Sequence, residues 1–310
     1  MSNLLQFAFA GIVAILVTAS AVTALLGKLY PEKNFAAVKL RIKTWWWLAA
    51  ILFIALAFNR NITLAVMAFA SFIAFKEFLS IAPTRRADHS VLLLAYLAIP
   101  VQYLWVGMAW YGMFIIFIPV YLFLLLPMRM AMIGETPGYL RAVGSIQWGL
   151  MTTVFCLSHL AYLLNMPVHQ GTHGPVSGQM LVIFLLVLTQ INDVAQFLWG
   201  KLLGRHKAAP RVSPNKTLEG LLGGVATTTL LSWLLAPWFT PMSTVHALIA
   251  GVVIGLFGFV GDIVMSAVKR DVGVKDSGNL LPGHGGILDR LDSLTYTAPL
   301  FFHFIYYFYY

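Results

Sequence analysis

Apolar residues run along this chain in stretches too long for a soluble core. They fall at about residues 4–26, 44–58, 62–79, 91–107, 110–126, 143–164, 180–200, 219–239, 244–268 and 294–310. Most are long enough to carry a helix across roughly 30 Å of hydrocarbon at about 1.5 Å per residue. Nothing alternates with a period of two over tens of residues, so the pattern does not support a β-barrel. It predicts an all-α, polytopic integral membrane protein of about ten transmembrane helices. Residues 44–58 make a short span, and a tight break is expected at 107–110. The first stretch, 4–26, reads as a span, because it is too long for a cleaved signal peptide and lacks its basic n-region.

Composition agrees. Of 310 residues, 60% are hydrophobic and 10% charged, against about a quarter charged in ordinary soluble domains. So few charges cannot cover a water-facing surface. The lone cysteine, Cys156, excludes an intramolecular disulfide and reads as a small packing residue inside an apolar run.

Charge then orients the spans. A net charge of +9 would suggest nucleic acid for a soluble protein. Here it marks cytoplasmic loops, and no nucleic-acid partner is expected. With the N-terminus outside, nineteen of the twenty Lys and Arg fall in inside segments, and Arg60 is the exception. The expected location is the inner (cell) membrane. Seven of the eleven acids lie between 193 and 292. We therefore divide the chain into a transmembrane scaffold, 1–142, and a transmembrane catalytic region, 143–310, with a polar site facing the cytoplasm.

Two acids sit inside spans. Asp193 precedes Lys201 by eight residues and Asp262 precedes Lys269 by seven, which puts both ~10–12 Å below the cytoplasmic boundary. A carboxylate at that depth should face a cavity, a cation or a partner. Asp262, Ser266 and Lys269 share one helical face, and Arg270 follows at its end. The loop after it is dense in chemistry. Its glycines, Gly285 and Gly286 among them, offer backbone N–H groups to a phosphate. Asp276, Asp289 and Asp292 offer hard oxygens suited to Mg²⁺. Lys275 and Arg290 could hold a polyphosphate. His284 either protonates a leaving group or fixes the loop. A second cytoplasmic loop runs Ser213, Pro214, Asn215, Lys216, Thr217, Leu218, Glu219. Ser213 or Thr217 can cap the helix beginning near Leu218, and its N-terminus beside Lys216 suits an anion.

The run SAVKRDVGVKDSGNLLPGHGGILDRLD, residues 266–292, resembles the signature of the phosphatidate cytidylyltransferase (CDP-diacylglycerol synthase) family throughout. Asn192-Asp193 and residues 213–220 resemble its two upstream motifs, in the same order. Gln196 and Phe197 depart from it, standing where bacterial members commonly show Ala-Tyr. The resemblance implies transfer of CMP from CTP to phosphatidate with release of pyrophosphate, using Mg²⁺ and often K⁺, in a protein that is often a homodimer. By the same resemblance Asp262 and Asp289 are the principal metal ligands. Combined with the residue reading, the expected catalytic set is Asp193, Asp262, Lys269, Arg270, Asp276, Asp289 and Arg290. The expected substrate-binding set is Ser213, Asn215, Lys216, Thr217, Glu219, Ser266, Lys275, His284, Gly285 and Gly286. Lys216 is expected to serve the CTP phosphates and Lys269 the phosphate nearer the bilayer. The alternatives are the same transfer to another lipid phosphate and an ion-coupled transporter using Asp193 and Asp262 as a relay. The second lacks the paired broken helices and internal repeats of such proteins.

Overall fold

The computed structural model describes residues 3–32, 34–283 and 285–310. Helices account for most of it: α1 (Asn3–Leu29), α2 (Ala36–Ala57), α3 (Arg60–Ile81), α4 (His89–Gly107), α5 (Tyr111–Ile116), α6 (Phe123–Met132), α7 (Tyr139–Leu150), α8 (Leu157–Tyr162), α9 (Gly178–Leu203), α10 (Leu218–Phe239), α11 (Thr244–Asp271), α12 (Leu288–Leu291) and α13 (Leu294–Tyr309). Two short antiparallel hairpins join them, β1 (His169–Gly171) with β2 (Gly174–Val176), and β3 (Lys207–Ala209) with β4 (Ser213–Thr217). The chain is an all-α polytopic membrane protein. Among the described residues eight helical segments are long and apolar enough to cross a bilayer. Two further rods fall outside that measure: 139–165 is divided into short helical pieces, and α13 has 16 residues.

Helix ends depart from the apolar stretches where polar residues join the helix. Asn59 caps α3, its Oδ1 accepting from the Ile62 N–H at 3.0 Å, which starts that helix at Arg60. The span expected at 44–58 begins instead at Ala36, because Lys39, Arg41 and Lys43 are good helix formers that lengthen it beyond its apolar part. The break near 107–110 is present, with Ala109 at φ 54°.

Prolines explain two polar side chains inside the bundle. Residues 117–122 form a π-helical turn containing Pro119, and α6 contains Pro127. Proline has no N–H, so the carbonyls one turn before it lose a donor, and hydrocarbon cannot replace it. Gln102 Nε2 donates to Phe114 O at 3.1 Å, and Gln147 Nε2 to Leu122 O and Phe123 O at 3.1 and 3.3 Å.

The core gathers α3, α4, α8, α9 and α13, with Phe75, Phe114, Phe184, Phe301 and Phe302 fully buried. Beside it, α10 lies between α9 and α11 at very close range. A Cβ on Gly251 would stand 2.5 Å from Thr229 Cα, and one on Gly255 2.9 Å from Val225 Cα. One on Gly258 would meet Asn192 Nδ2 at 2.9 Å, and one on Gly261 would meet Asp292 O at 2.6 Å. Spacings of four, three and three put these glycines on one face of α11. That face seats the helix against α10, then α9, then the segment before α13, and so fixes where Asp262 stands.

Hydrogen bonds sort the connections into two ends. At one, Arg41 Nε donates to Gly283 O at 3.2 Å, Arg85 Nη1 to Glu135 O at 2.6 Å and Arg270 Nε to Val212 O at 3.2 Å. At the other, Arg60 Nη2 donates to Val106 O and Gly107 O at 3.1 and 2.7 Å, and Asn165 Nδ2 to Val106 O at 2.7 Å.

The proline argument gives a test. Gln147→Leu keeps the volume and removes the donor from two buried carbonyls, at a cost of about 1–2 kcal/mol. Thermal unfolding in detergent should show a lower midpoint for Gln147→Leu than for the parent. An unchanged midpoint would mean that these carbonyls need no such donor.

Candidate active site

At the first end, α9, α10, α11, α12 and the loop 272–287 bring charged side chains together. Asp262 projects from the interior of α11. Its Oδ2 lies 2.6 Å from Lys216 Nζ, and its Oδ1 accepts from Ser266 Oγ at 3.2 Å. Lys216 enters from β4, passes within 5.4 Å of the Phe259 ring centre, and also donates to Gln196 Oε1 at 3.1 Å. Gln196 thus takes a defined part, bridging Lys216 to Gly255 O, to which its Nε2 donates at 3.4 Å. Phe197 points outward and is exposed.

A second pair sits beside the first. Lys269, buried at the end of α11, donates to Asp289 Oδ1 at 2.7 Å. The other oxygen of Asp289 accepts the N–H groups of Ser277 and Gly286 at 2.9 and 3.0 Å. Burial pushes the Asp289 carboxyl up, but the Lys269 ammonium and these two N–H groups outweigh it and hold it below the usual carboxylate range. Gly285, at φ 80°, lies against this carboxylate: a Cβ there would come within 2.6 Å of Asp289 Oδ2 and 3.4 Å of Asp276 Cβ. Glycine is required on both counts.

Asp193 and Asp292 complete the charge. Ser293 Oγ donates to Asp193 Oδ1 at 3.1 Å, and the Ser293 N–H to Asp292 Oδ1 at 2.8 Å. Asp193, Asp262 and Asp292 are near enough for their charges to act on one another, with Lys216, Lys269 and Arg290 as the opposing cations. Burial raises the Asp292 carboxyl well above its usual range, and the charges of Asp262 and Asp193 raise it further. The Nε of Arg290 is buried and, among the described residues, has no hydrogen-bond partner.

Other expected site residues have separate structural tasks. Thr217 caps α10, accepting the Gly220 N–H at 3.1 Å. Glu219, expected to bind substrate, accepts from the backbone N–H groups of Arg205 and His206 and from His206 Nδ1, the last at 2.6 Å. Arg270, expected in the catalytic set, donates to Val212 O and Val274 O and ties the β3–β4 hairpin to α11. Ser213 and Asn215 lie on β4, Asn215 exposed and Ser213 half-buried. Lys275 and Asp276 are exposed. His284 lies outside the described residues. Lys216 and Lys269, expected to serve the CTP phosphates and the phosphate nearer the bilayer, each hold a different carboxylate. Lys216 ends beside Asp262 in the interior of α11, and Lys269 ends beside the loop carboxylate.

One residue of the site was missed from sequence. Glu77, near the end of α3, accepts the Ile287 and Leu288 N–H groups at 3.0 and 2.9 Å and the Ser277 hydroxyl at 3.3 Å. Its signal was a lone acid closing an otherwise apolar stretch.

The donor set can be judged for magnesium. Among the described residues no three Asp, Glu, His or Cys side chains form a ready cage. Mg²⁺ characteristically takes one or two carboxylates and completes its shell with water and substrate phosphates, so the hard oxygens here fit it. Asp262, with its side chain 24% exposed, is more open to an ion than Asp289 at 4%.

A protein of Escherichia coli (strain K12), YnbB, described as uncharacterized, is 46% identical over 304 residues, 98% of this chain and 99% of that one. The phosphatidate cytidylyltransferase of Staphylococcus epidermidis (strain ATCC 12228 / FDA PCI 1200) is 36% identical over 156 residues, and that of Staphylococcus aureus (strain COL) 37% over 157. Each of these two alignments covers 50% of this chain and 59% of the staphylococcal protein. The profile of the cytidylyltransferase family matches residues 39–308. That match runs from the second helix into the last, and the chain belongs to the cytidylyltransferase family.

Proposed function

We propose that this nucleotidyltransferase moves CMP from CTP to phosphatidate, giving CDP-diacylglycerol and pyrophosphate. The observation that carries the reading is the pair of lysine–carboxylate contacts, Lys216–Asp262 and Lys269–Asp289, set beside Arg290 at one end of a membrane bundle. A phosphate oxygen of the lipid attacks the α-phosphorus of CTP, the new P–O bond forms, and the bond to pyrophosphate breaks. A phosphomonoester has a second pKa near ~6 and is largely dianionic at neutral pH, so the attack needs no strong base. Repulsion between two polyanions is the obstacle. Lys216, Lys269 and Arg290 supply the positive charge that offsets it. Asp262 would hold Mg²⁺ together with Asp193, Asp289 or Asp292, and the ion when bound supplies further neutralisation. Asp262 lies in the interior of α11, which suits a substrate whose acyl tails stay in lipid while its phosphate meets CTP at the surface.

The site is proposed to face the cytoplasm of a bacterial inner membrane, on the strength of the charge asymmetry in the sequence. A homodimer is the proposed assembly, on family resemblance alone.

Purified protein with labelled CTP, Mg²⁺ and a panel of lipid phosphates tests the reading directly. CDP-diacylglycerol should form with phosphatidate. Product from another lipid phosphate alone would move the acceptor, and no CTP use with any of them would overturn the function. Asp262→Asn and Asp289→Asn should each lower turnover by at least a hundredfold in folded protein, and the double variant should be little worse than either single, as groups acting in one unit behave. Activity within about tenfold of the parent in either single variant would remove that residue from the site. In a protein with Cys156 replaced, a cysteine at Gly171 should react with an impermeant reagent added outside intact cells, and one at Pro210 should not. Labelling at Pro210 would invert the orientation.

A further inference from the structure

The loop that carries Asp289 is held from the opposite half of the chain. The described residues among 277–288 have few regular backbone partners, with one isolated bridge between Leu281 and Gly285. Their position depends on side chains reaching in from α2 and α3. Thr44 Oγ1 donates to Pro282 O at 2.8 Å and Arg41 Nε to Gly283 O at 3.2 Å. Glu77 does the most. Its two oxygens take one N–H each, from Ile287 and Leu288, and Oε2 also takes the Ser277 hydroxyl. Those N–H groups belong to the open first turn of α12, where helical N–H groups have no internal acceptor. Asp289 and Arg290 are the next two residues. Ser277 is held from both sides, its hydroxyl by Glu77 and its N–H by Asp289. Gly286 is fitted to the same contact, since a Cβ there would run into Glu77 Oε2 and Ser277 Oγ.

We propose that Glu77 is a positioning residue for the reaction: it clasps the start of α12 and thereby aims Asp289 at Lys269 and Arg290 into the carboxylate cluster. This rests on the function proposed above for that cluster. A carboxylate is required, because both of its oxygens face donors. A glutamine of the same size would turn an NH₂ group toward one backbone N–H, replacing attraction with repulsion.

Glu77→Gln in the full-length protein in detergent is the test, read by turnover and by amide hydrogen exchange. Turnover should fall about 10- to 100-fold, the loss expected for hydrogen bonds to a charged group, while the KM for CTP changes less than threefold. Exchange should quicken over residues 285–291 and stay at the parent rate in α9, α10 and α11. A general loss of stability would instead quicken exchange throughout and lower turnover only with the folded fraction. Glu77→Asp keeps the charge and both acceptor oxygens but is one methylene shorter and falls short of the two N–H groups, and should fall between. It carries the same test if the glutamine variant does not fold. Parent turnover, or lowered turnover with parent-like exchange at 285–291, would overturn the clasp. If the parent makes no CDP-lipid, the proposed reaction fails, and the exchange comparison alone decides whether Glu77 holds the loop.

Discussion

Charge buried in a membrane bundle needs a partner, and the charged end of this protein is arranged by that constraint. Four carboxylates and three cations share a small volume near the end of the bundle. Removing water from any of them alone costs several kcal/mol. Lys216 crosses from a surface hairpin to reach Asp262, and Lys269 meets Asp289 from the end of α11. The hairpin, the helix and the loop are drawn together by this need for partners. The same charges that allow the carboxylates to be buried are those a phosphate would seek.

Close packing of the scaffold is what makes that arrangement reproducible. The glycine face of α11 brings it against its neighbours at distances no side chain would permit. Asp262 is therefore carried on a rigid rod whose height and rotation are set by contacts at four successive positions. Polar loops alone would leave the same residues free to spread apart and take up water.

Much of this was legible in the sequence. Long apolar runs gave the class of fold, because the bilayer imposes a length that composition cannot disguise. Asp193 and Asp262 stood out because an acid within such a run needs a reason. Other features were hidden for physical causes. The partner of Asp262 was unreadable, since Lys216 is distant in sequence and only folding brings it there. Glu219 and Arg270 sit in motif positions yet hold backbone groups, and residue type does not tell a ligand contact from an internal one. Gln102 and Gln147 became intelligible only with the proline-freed carbonyls beside them. Glu77 is silent in the sequence because it stands beside Lys76 near the end of an apolar stretch, where a charge usually just meets water.

Arg60 carries a consequence for how the chain enters the membrane. Among the described residues it is the one basic residue at its end of the bundle, and its guanidinium is bound to the last carbonyls of α4. Cations at a helix C-terminus offset the partial negative charge there. Once folded, this side chain is therefore part of the end of a neighbouring helix. During insertion, before α4 is in place, it is an unmatched charge at the start of α3. Assembly of the third and fourth helices as a pair would relieve that mismatch, which makes this hairpin a natural early unit of biogenesis.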